Sequence, residues 1–180
     1  MIMDGLSAPS EAPRLSIDIL IEDQAWNDND VDDLEGLTCS AVEAACSVAG
    51  LVGQETEVCV LFTDDDEIRR LNAEFRGKDK PTNVLSFPAG DGPQPEGAPL
   101  MLGDIVLARG VVVAEAAAQG KPLASHVAHL IVHGMLHLAG FDHEQHEEAE
   151  LMEALEAKAL ARLGVPDPYG QTSAAAAQEH

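Results

Sequence analysis

The sequence predicts an α+β fold, a small mixed sheet of about four strands packed with about five helices in a single domain. Three observations predict it. Short stretches of period-two alternation or dense β-branched residues are interleaved with stretches whose apolar residues recur every three to five positions, giving the order strand, helix, strand, helix, strand, strand, helix, helix, helix. The chain has 180 residues and no internal repeat, the size of one domain with a substantial core. Its 46% hydrophobic and 23% charged residues make a globular rather than a disordered composition.

Residues 1–14 have neither the basic opening nor the apolar run of a signal peptide and are expected to be a flexible segment before a folded domain of residues 15–165. In residues 16–22, Ile17, Ile19 and Ile21 alternate with polar partners, which predicts a strand with one buried face. From Val31 to Ala49, Val31, Leu34, Leu37, Val42, Ala45 and Val48 mark a helix that Gly50 can stop. Residues 56–62, TEVCVLF, are apolar and β-branched enough for a buried strand. Thr63 and Asp64 to Asp66 then supply capping oxygens and first-turn acids for a second helix, with Ile68, Leu71 and Phe75 turned inward. Gly77 and Pro81 end that helix and lead to a short strand, TNVLSF, stopped by Pro88.

Residues 89–100 are punctuated by glycine or proline at 90, 92, 93, 95, 97 and 99 and are expected to form a mobile loop. The strand LGDIVLAR and the helix VVVAEAAAQG follow, the latter ending near Gly120. Ser125 to Ala139 is hydrophobic nearly all round, as befits a central helix, apart from a stripe of histidines. A last helix from about Glu147 to Leu163 places Leu151, Leu155, Ala159 and Leu163 on one face, and its acidic run reads as a solvated face. Residues 166–180 are expected to be a disordered tail.

Composition excludes several functions. No stretch of roughly 18 apolar residues is present, so no membrane span is expected, and the missing signal points to the cytoplasm. Cys39, Cys46 and Cys59 have neither disulfide-framework nor zinc-site spacing and read as buried free thiols. With 32 acidic against 10 basic residues, the net charge of −22 argues against nonspecific polyanion binding, and no DNA partner is expected. Half of the basic residues, however, fall in one segment, Arg69, Arg70, Arg76, Lys78 and Lys80, which allows a local basic patch.

The chemistry is concentrated in HGMLHLAGFDH. His133 and His137 lie four apart, so at about 100° per residue both imidazoles leave one helix face a turn apart. Gly140 permits the chain reversal that brings His143 back as a third ligand, and three neutral nitrogens leave one tetrahedral position for water. Burying imidazoles without partners costs about 1–3 kcal/mol for each unsatisfied group. A shared ion, Zn2+ or a similar divalent metal, one per chain, is therefore the expectation over three unconnected core histidines. His129, on the same stripe, is a candidate to support a ligand from behind or to line the approach to the ion, and His126 fits a simple backbone hydrogen bond better. Asp142, just before His143, either orients an imidazole or merely forms a turn. The spacing equals that of metzincin peptidases, but Gly134 stands where those enzymes carry a glutamate base, which weighs against peptide hydrolysis.

HGMLHLAGFDH, the preceding KPLASHVAHLIV, the upstream RGKDKPTNVLSFP, LGDIVL and the closing DPY together resemble the YbeY endoribonucleases, or rRNA maturation factors, across roughly residues 15–169. The resemblance implies a cytoplasmic, metal-dependent, single-strand-specific endoribonuclease acting in 16S rRNA 3′-end maturation and ribosome quality control. It also implies His133, His137 and His143 as zinc ligands and Arg76 as the catalytic arginine. A guanidinium suits that role because its planar fork can meet the extra negative charge of a phosphorane-like transition state.

Thr82, Asn83 and Ser86 are candidate phosphate or sugar contacts on one wall of the cleft, and Lys78 and Lys80 candidate backbone-phosphate contacts. The expected partners are single-stranded RNA, rRNA, and the ribosome or ribosome-associated proteins, whose contacts would offset the acidity of the chain. The alternatives are a noncatalytic, zinc-containing ribosome-assembly factor, or another zinc hydrolase such as a peptidase.

Overall fold

A computed structural model describes residues 14–27, 31–51, 53–90, 92–142 and 144–169. In chain order they form β1 (Leu15–Ile21), a 3-10 turn (Gln24–Asn27), α1 (Leu34–Val48), β2 (Thr56–Thr63), α2 (Asp65–Arg76), β3 (Val84–Pro88), β4 (Leu100–Ala108), α3 (Arg109–Ala118), α4 (Leu123–Leu138) and α5 (His146–Arg162). This is the expected order, with the 3-10 turn added.

The four strands make one mixed sheet in the order β1-β2-β4-β3. β1, β2 and β4 are parallel, and β3 runs antiparallel to β4 on the edge. Pro81 precedes β3 and Pro88 is its last residue, at the end of an edge strand, where a sheet tolerates a residue that cannot donate to the ladder. The strand alternation sorts the core into two clusters. Val58, Val60 and Phe62 of β2 and Ile105 and Leu107 of β4 face α1 and α4, while Leu85 and Val106 face Ile68 of α2.

Helix α4 lies at the centre of the larger cluster, with Val127, Ala128, Leu130, Ile131, Val132, Met135 and Leu136 all buried. Each buried Leu, Ile, Val or Met contributes about 1.5–3 kcal/mol relative to exposure. Packing therefore fixes this helix, whose N-cap, Pro122, makes no side-chain cap hydrogen bond. Helix α2 is instead defined by its ends. The Asp64 carboxylate accepts from the Glu67 N–H, and Gly77, at φ 69°, caps the C-terminus immediately after Arg76.

Several expectations are corrected. Phe75 is not turned inward: it is 61% exposed and meets Phe87 edge-on, with centroids 5.2 Å apart, because α2 buries a stripe centred on Ile68 and Asn72. Only Cys46 is buried. Cys59 points to the less covered face of the sheet, in register with Asp18 and Asp104, and Cys39 sits among Glu35 and Glu43 of its own helix. Residues 166–169, assigned to the tail, are described, and Tyr169 packs against α5. Residues 1–13 and 170–180 lie outside the described residues. Trp26 in the 3-10 turn is buried, its indole N–H donating to the Thr63 carbonyl at 2.9 Å. Among the described residues, no helix is long and apolar enough to cross a membrane.

Candidate metal centre and active-site cleft

Helix α4 carries the site because its rigid, buried body leaves one strip open, where His133 and His137 are half-buried. One turn apart, their Nε2 atoms come within 3.0 Å of each other. Gly140 follows with φ 98°, a conformation that favours glycine, and its N–H donates to the His137 carbonyl while Phe141 N–H donates to Leu136, reversing the chain as expected. His143, the third expected ligand, lies outside the described residues. Among the described residues no group of three or more His, Cys, Asp or Glu is gathered for a metal ion.

The packing around Gly134 is close. A Cβ at residue 134 would lie 3.0 Å from Ser86 Oγ and 3.1 Å from Ile105 Cγ2, so α4 seats tightly against β3 and β4 and a side chain there would have to push these neighbours aside. Gly134→Glu should destabilise the fold by about 1–3 kcal/mol through overpacking at this contact. Denaturant unfolding checks this, and an unchanged midpoint would contradict the close packing.

Behind the two histidines stands Glu156 of α5, 1% exposed. Its Oε1 accepts from His133 Nδ1 at 2.5 Å, and its Oε2 accepts from His129 Nε2 at 2.9 Å and from the Tyr169 hydroxyl at 2.5 Å. Burial pushes the carboxyl pKa up, but the hydrogen bonds from His129, His133 and Tyr169 and the charge of His133 outweigh it and hold it at about 2. Glu156 is thus an ionised acceptor, which places a proton on His133 Nδ1; in the neutral imidazole this leaves the Nε2 lone pair turned toward His137. The 3.0 Å approach of the two Nε2 atoms is favourable when His137 donates a proton across it or when both nitrogens face a cation. The donor set fits a borderline-soft divalent ion, with Glu156 in the carboxylate position that orients a ligating imidazole.

A cleft of about 580 Å³ opens in front, lined by Arg76, Asn83, Val84, Ser86, Pro88, His133, His137, Phe141, Asp142 and Glu144, among others. The cleft brings together Arg76, Asn83, Ser86, His133, His137 and Asp142 of the residues singled out from sequence. Arg76 leaves the last turn of α2 and its Nη2 donates to the Ser86 carbonyl at 3.2 Å, reaching over the edge strand β3. Asn83 is already engaged at both ends: its Nδ2 donates to Glu115 at 3.0 Å and its Oδ1 accepts from the Val84 N–H at 2.6 Å.

Lys78, Lys80 and Thr82 do not line the cleft. Asn72 holds their loop from behind, donating to the Lys80 carbonyl and accepting from the Lys78 N–H, and both lysines are exposed. The expected basic patch is weaker than the count suggested, since Arg69 pairs with Asp79 and Arg70 with Glu67 and Glu74. His126 also departs from expectation: rather than a backbone group, its Nε2 meets Glu115 Oε2 at 2.8 Å.

Glu156 and Tyr169 were missed by sequence reasoning. A signal existed for Glu156, because it falls four residues after Met152 and three and four before Ala159 and Leu160, on the buried stripe of α5. An acid on an apolar stripe is a candidate for a paired, functional group. For Tyr169 only the closing DPY pointed to a role.

A family model described as Endoribonuclease YbeY matches residues 20–164. A protein named endoribonuclease YbeY from Rhodopseudomonas palustris is 52% identical over 166 residues, covering 92% of this chain and 86% of that protein. One of the same name from Paracoccus denitrificans is 47% identical over 175 residues, covering 92% and 96%. Among solved structures, the solution structure of TM1509 from Thermotoga maritima is similar, with a TM-score of 0.52 and 28% identity over 82% of this chain and 91% of that one.

Proposed function

The chain belongs to the YbeY endoribonuclease family, and from that premise we propose that it is a cytoplasmic, zinc-dependent, single-strand-specific endoribonuclease that trims the 3′ end of 16S rRNA and serves ribosome quality control. Its enzymatic class follows from the family: a hydrolase of RNA phosphodiester bonds that acts in rRNA processing. The observation that carries the zinc reading is the pair of Nε2 atoms 3.0 Å apart, backed by a buried carboxylate on His133 and opening on the cleft that holds Arg76.

His133, His137 and His143 would hold the ion. When bound, it supplies Lewis acidity, drawing the pKa of water toward ~7 and polarising a phosphoryl oxygen. The remaining work falls to the chain. Glu156 keeps the His133 proton on Nδ1, so that the Nε2 lone pair stays available. Arg76 presents a donor fork to the scissile phosphate and offsets the charge that builds there in the transition state. Ser86 and Asp142 line the same cleft as polar walls for the sugar-phosphate backbone.

The net charge of −22 denies the molecule a broad electrostatic footprint for RNA. Contacts with the ribosome or its associated proteins would then dock the enzyme on its substrate. A peptidase reading is disfavoured because Gly134, closely packed against Ser86 and Ile105, offers no carboxylate base beside His133.

The test uses metal-stripped and zinc-restored protein with labelled single-stranded RNA, duplex RNA and a peptide library. Cleavage of the single strand alone, lost on chelation and regained with zinc, is expected. Undiminished cleavage after complete metal removal, or hydrolysis of peptides in place of RNA, would overturn the reading. Comparing 16S rRNA 3′ ends in cells carrying His133 or His133→Ala locates the biological substrate.

A further inference from the structure

We propose that Tyr169, in the segment after α5, is a positioning residue that sets the metal affinity of the centre by locking Glu156 against His133. The inference rests on the metal-centre reading above. Glu156 is a shared carboxylate: Oε1 holds His133 Nδ1 at 2.5 Å, and Oε2 holds both the Tyr169 hydroxyl at 2.5 Å and His129 Nε2 at 2.9 Å.

These three donors fix the carboxylate in rotation as well as in position. Without the Tyr169 hydroxyl, His129 alone would hold Oε2, and a carboxylate drawn toward His129 would shift from His133, which would lose the acceptor that specifies its tautomer. Tyr169 supplies the support from outside the helical layer. Its ring meets His129 edge-on with centroids 5.9 Å apart, and the Tyr169 N–H donates to Asp167 Oδ1 at 2.8 Å, so the segment folds back on itself to aim the hydroxyl. Pro166 and Pro168 flank Asp167 and narrow the conformations from which that turn is drawn. The effect runs from the C-terminal segment through one carboxylate to a ligand on another helix.

Zinc(II) affinity, measured by competition with a chromophoric chelator, tests this without reference to RNA. Tyr169→Phe keeps the ring and removes only the donor, and it should weaken zinc binding about 10-fold, toward the lower end of the 10–100-fold typical of groups behind a ligand. Glu156→Gln should weaken it by about 10–100-fold, because the amide meets donors with a donor. Since Tyr169 acts through Glu156, adding Tyr169→Phe to Glu156→Gln should cost little more, whereas multiplied losses would overturn the proposal.

Nitrogen-15 NMR of the histidine rings gives a second readout: the metal-free wild type should show His133 protonated at Nδ1, and Tyr169→Phe should show mixed tautomers. Zinc affinity within about twofold of wild type, or an unchanged His133 tautomer in Tyr169→Phe, contradicts the proposal. If Tyr169→Phe does not fold, Glu156→Gln and its tautomer spectrum decide whether the carboxylate controls affinity. A wild type that binds zinc through this network yet leaves RNA intact would instead defeat the functional reading alone.

Discussion

An Arg76→Ala variant is expected to cleave single-stranded RNA about 10²–10³-fold more slowly than wild type while binding the same amount of zinc, the loss typical of removing one preorganised transition-state donor. The prediction combines two features of the structure. Arg76 is exposed at the C-terminus of α2 and, among the described residues, makes one hydrogen bond, to the Ser86 carbonyl, so its removal should leave the fold nearly intact. It also lines the same cleft as His133 and His137 without touching the Glu156 network that shapes them. Rate loss without metal loss therefore separates a catalytic role from a structural one. Arg76→Lys should recover only part of the rate, because an ammonium keeps the charge but not the planar fork. Single-turnover cleavage with metal analysis of the same preparations checks both, and equal rates for wild type and Arg76→Ala would remove the arginine from the mechanism.

The second large effect concerns His133. His133→Ala should abolish stoichiometric zinc binding and, with it, RNA cleavage. It removes a ligand and at the same time leaves Glu156 ionised, almost wholly buried and short of one of its three donors. An under-compensated buried charge is costly, so the variant should also lose stability, by about 1–3 kcal/mol. His133→Gln separates the two losses: an amide nitrogen can still donate toward Glu156, so stability should recover further than metal binding does. Zinc titration and denaturant unfolding report the two quantities independently. Retained stoichiometric zinc in His133→Ala would contradict the assignment.

What the sequence made legible follows from the range of the interactions involved. Strand alternation, the caps on α2 and the histidine stripe are local patterns, and they led to the sheet, the helices and the pairing of His133 with His137. Gly134 was legible as a missing base, but not as a packing contact, because Ser86 and Ile105 meet it from two different strands. Glu156 was hidden by its neighbours. In a run of exposed acids it looked like one more solvated charge, although its place on the stripe of Met152 and Leu160 marked it as inward-facing.

Phe75 failed in the opposite sense, since its spacing from Ile68 and Leu71 promised burial, but α2 packs through a narrower stripe and leaves the ring in solvent. Long-range partnerships such as Asn83 with Glu115, or Tyr169 with Glu156, have no periodic signature at all. The basic cluster misled for a related reason: a count of charges does not reveal that Arg69 and Arg70 are paired with neighbouring acids.

The central claim is that three imidazoles hold one divalent ion and leave a coordination position open. X-ray absorption at the zinc edge of the fully loaded protein tests it most directly. The predicted spectrum has one zinc per chain bound by three imidazole nitrogens at about 2.0–2.1 Å with one further light oxygen scatterer. A sulfur shell, a fourth protein ligand closing the site, or fewer than three imidazoles would contradict the account and leave a structural ion, or none, in its place.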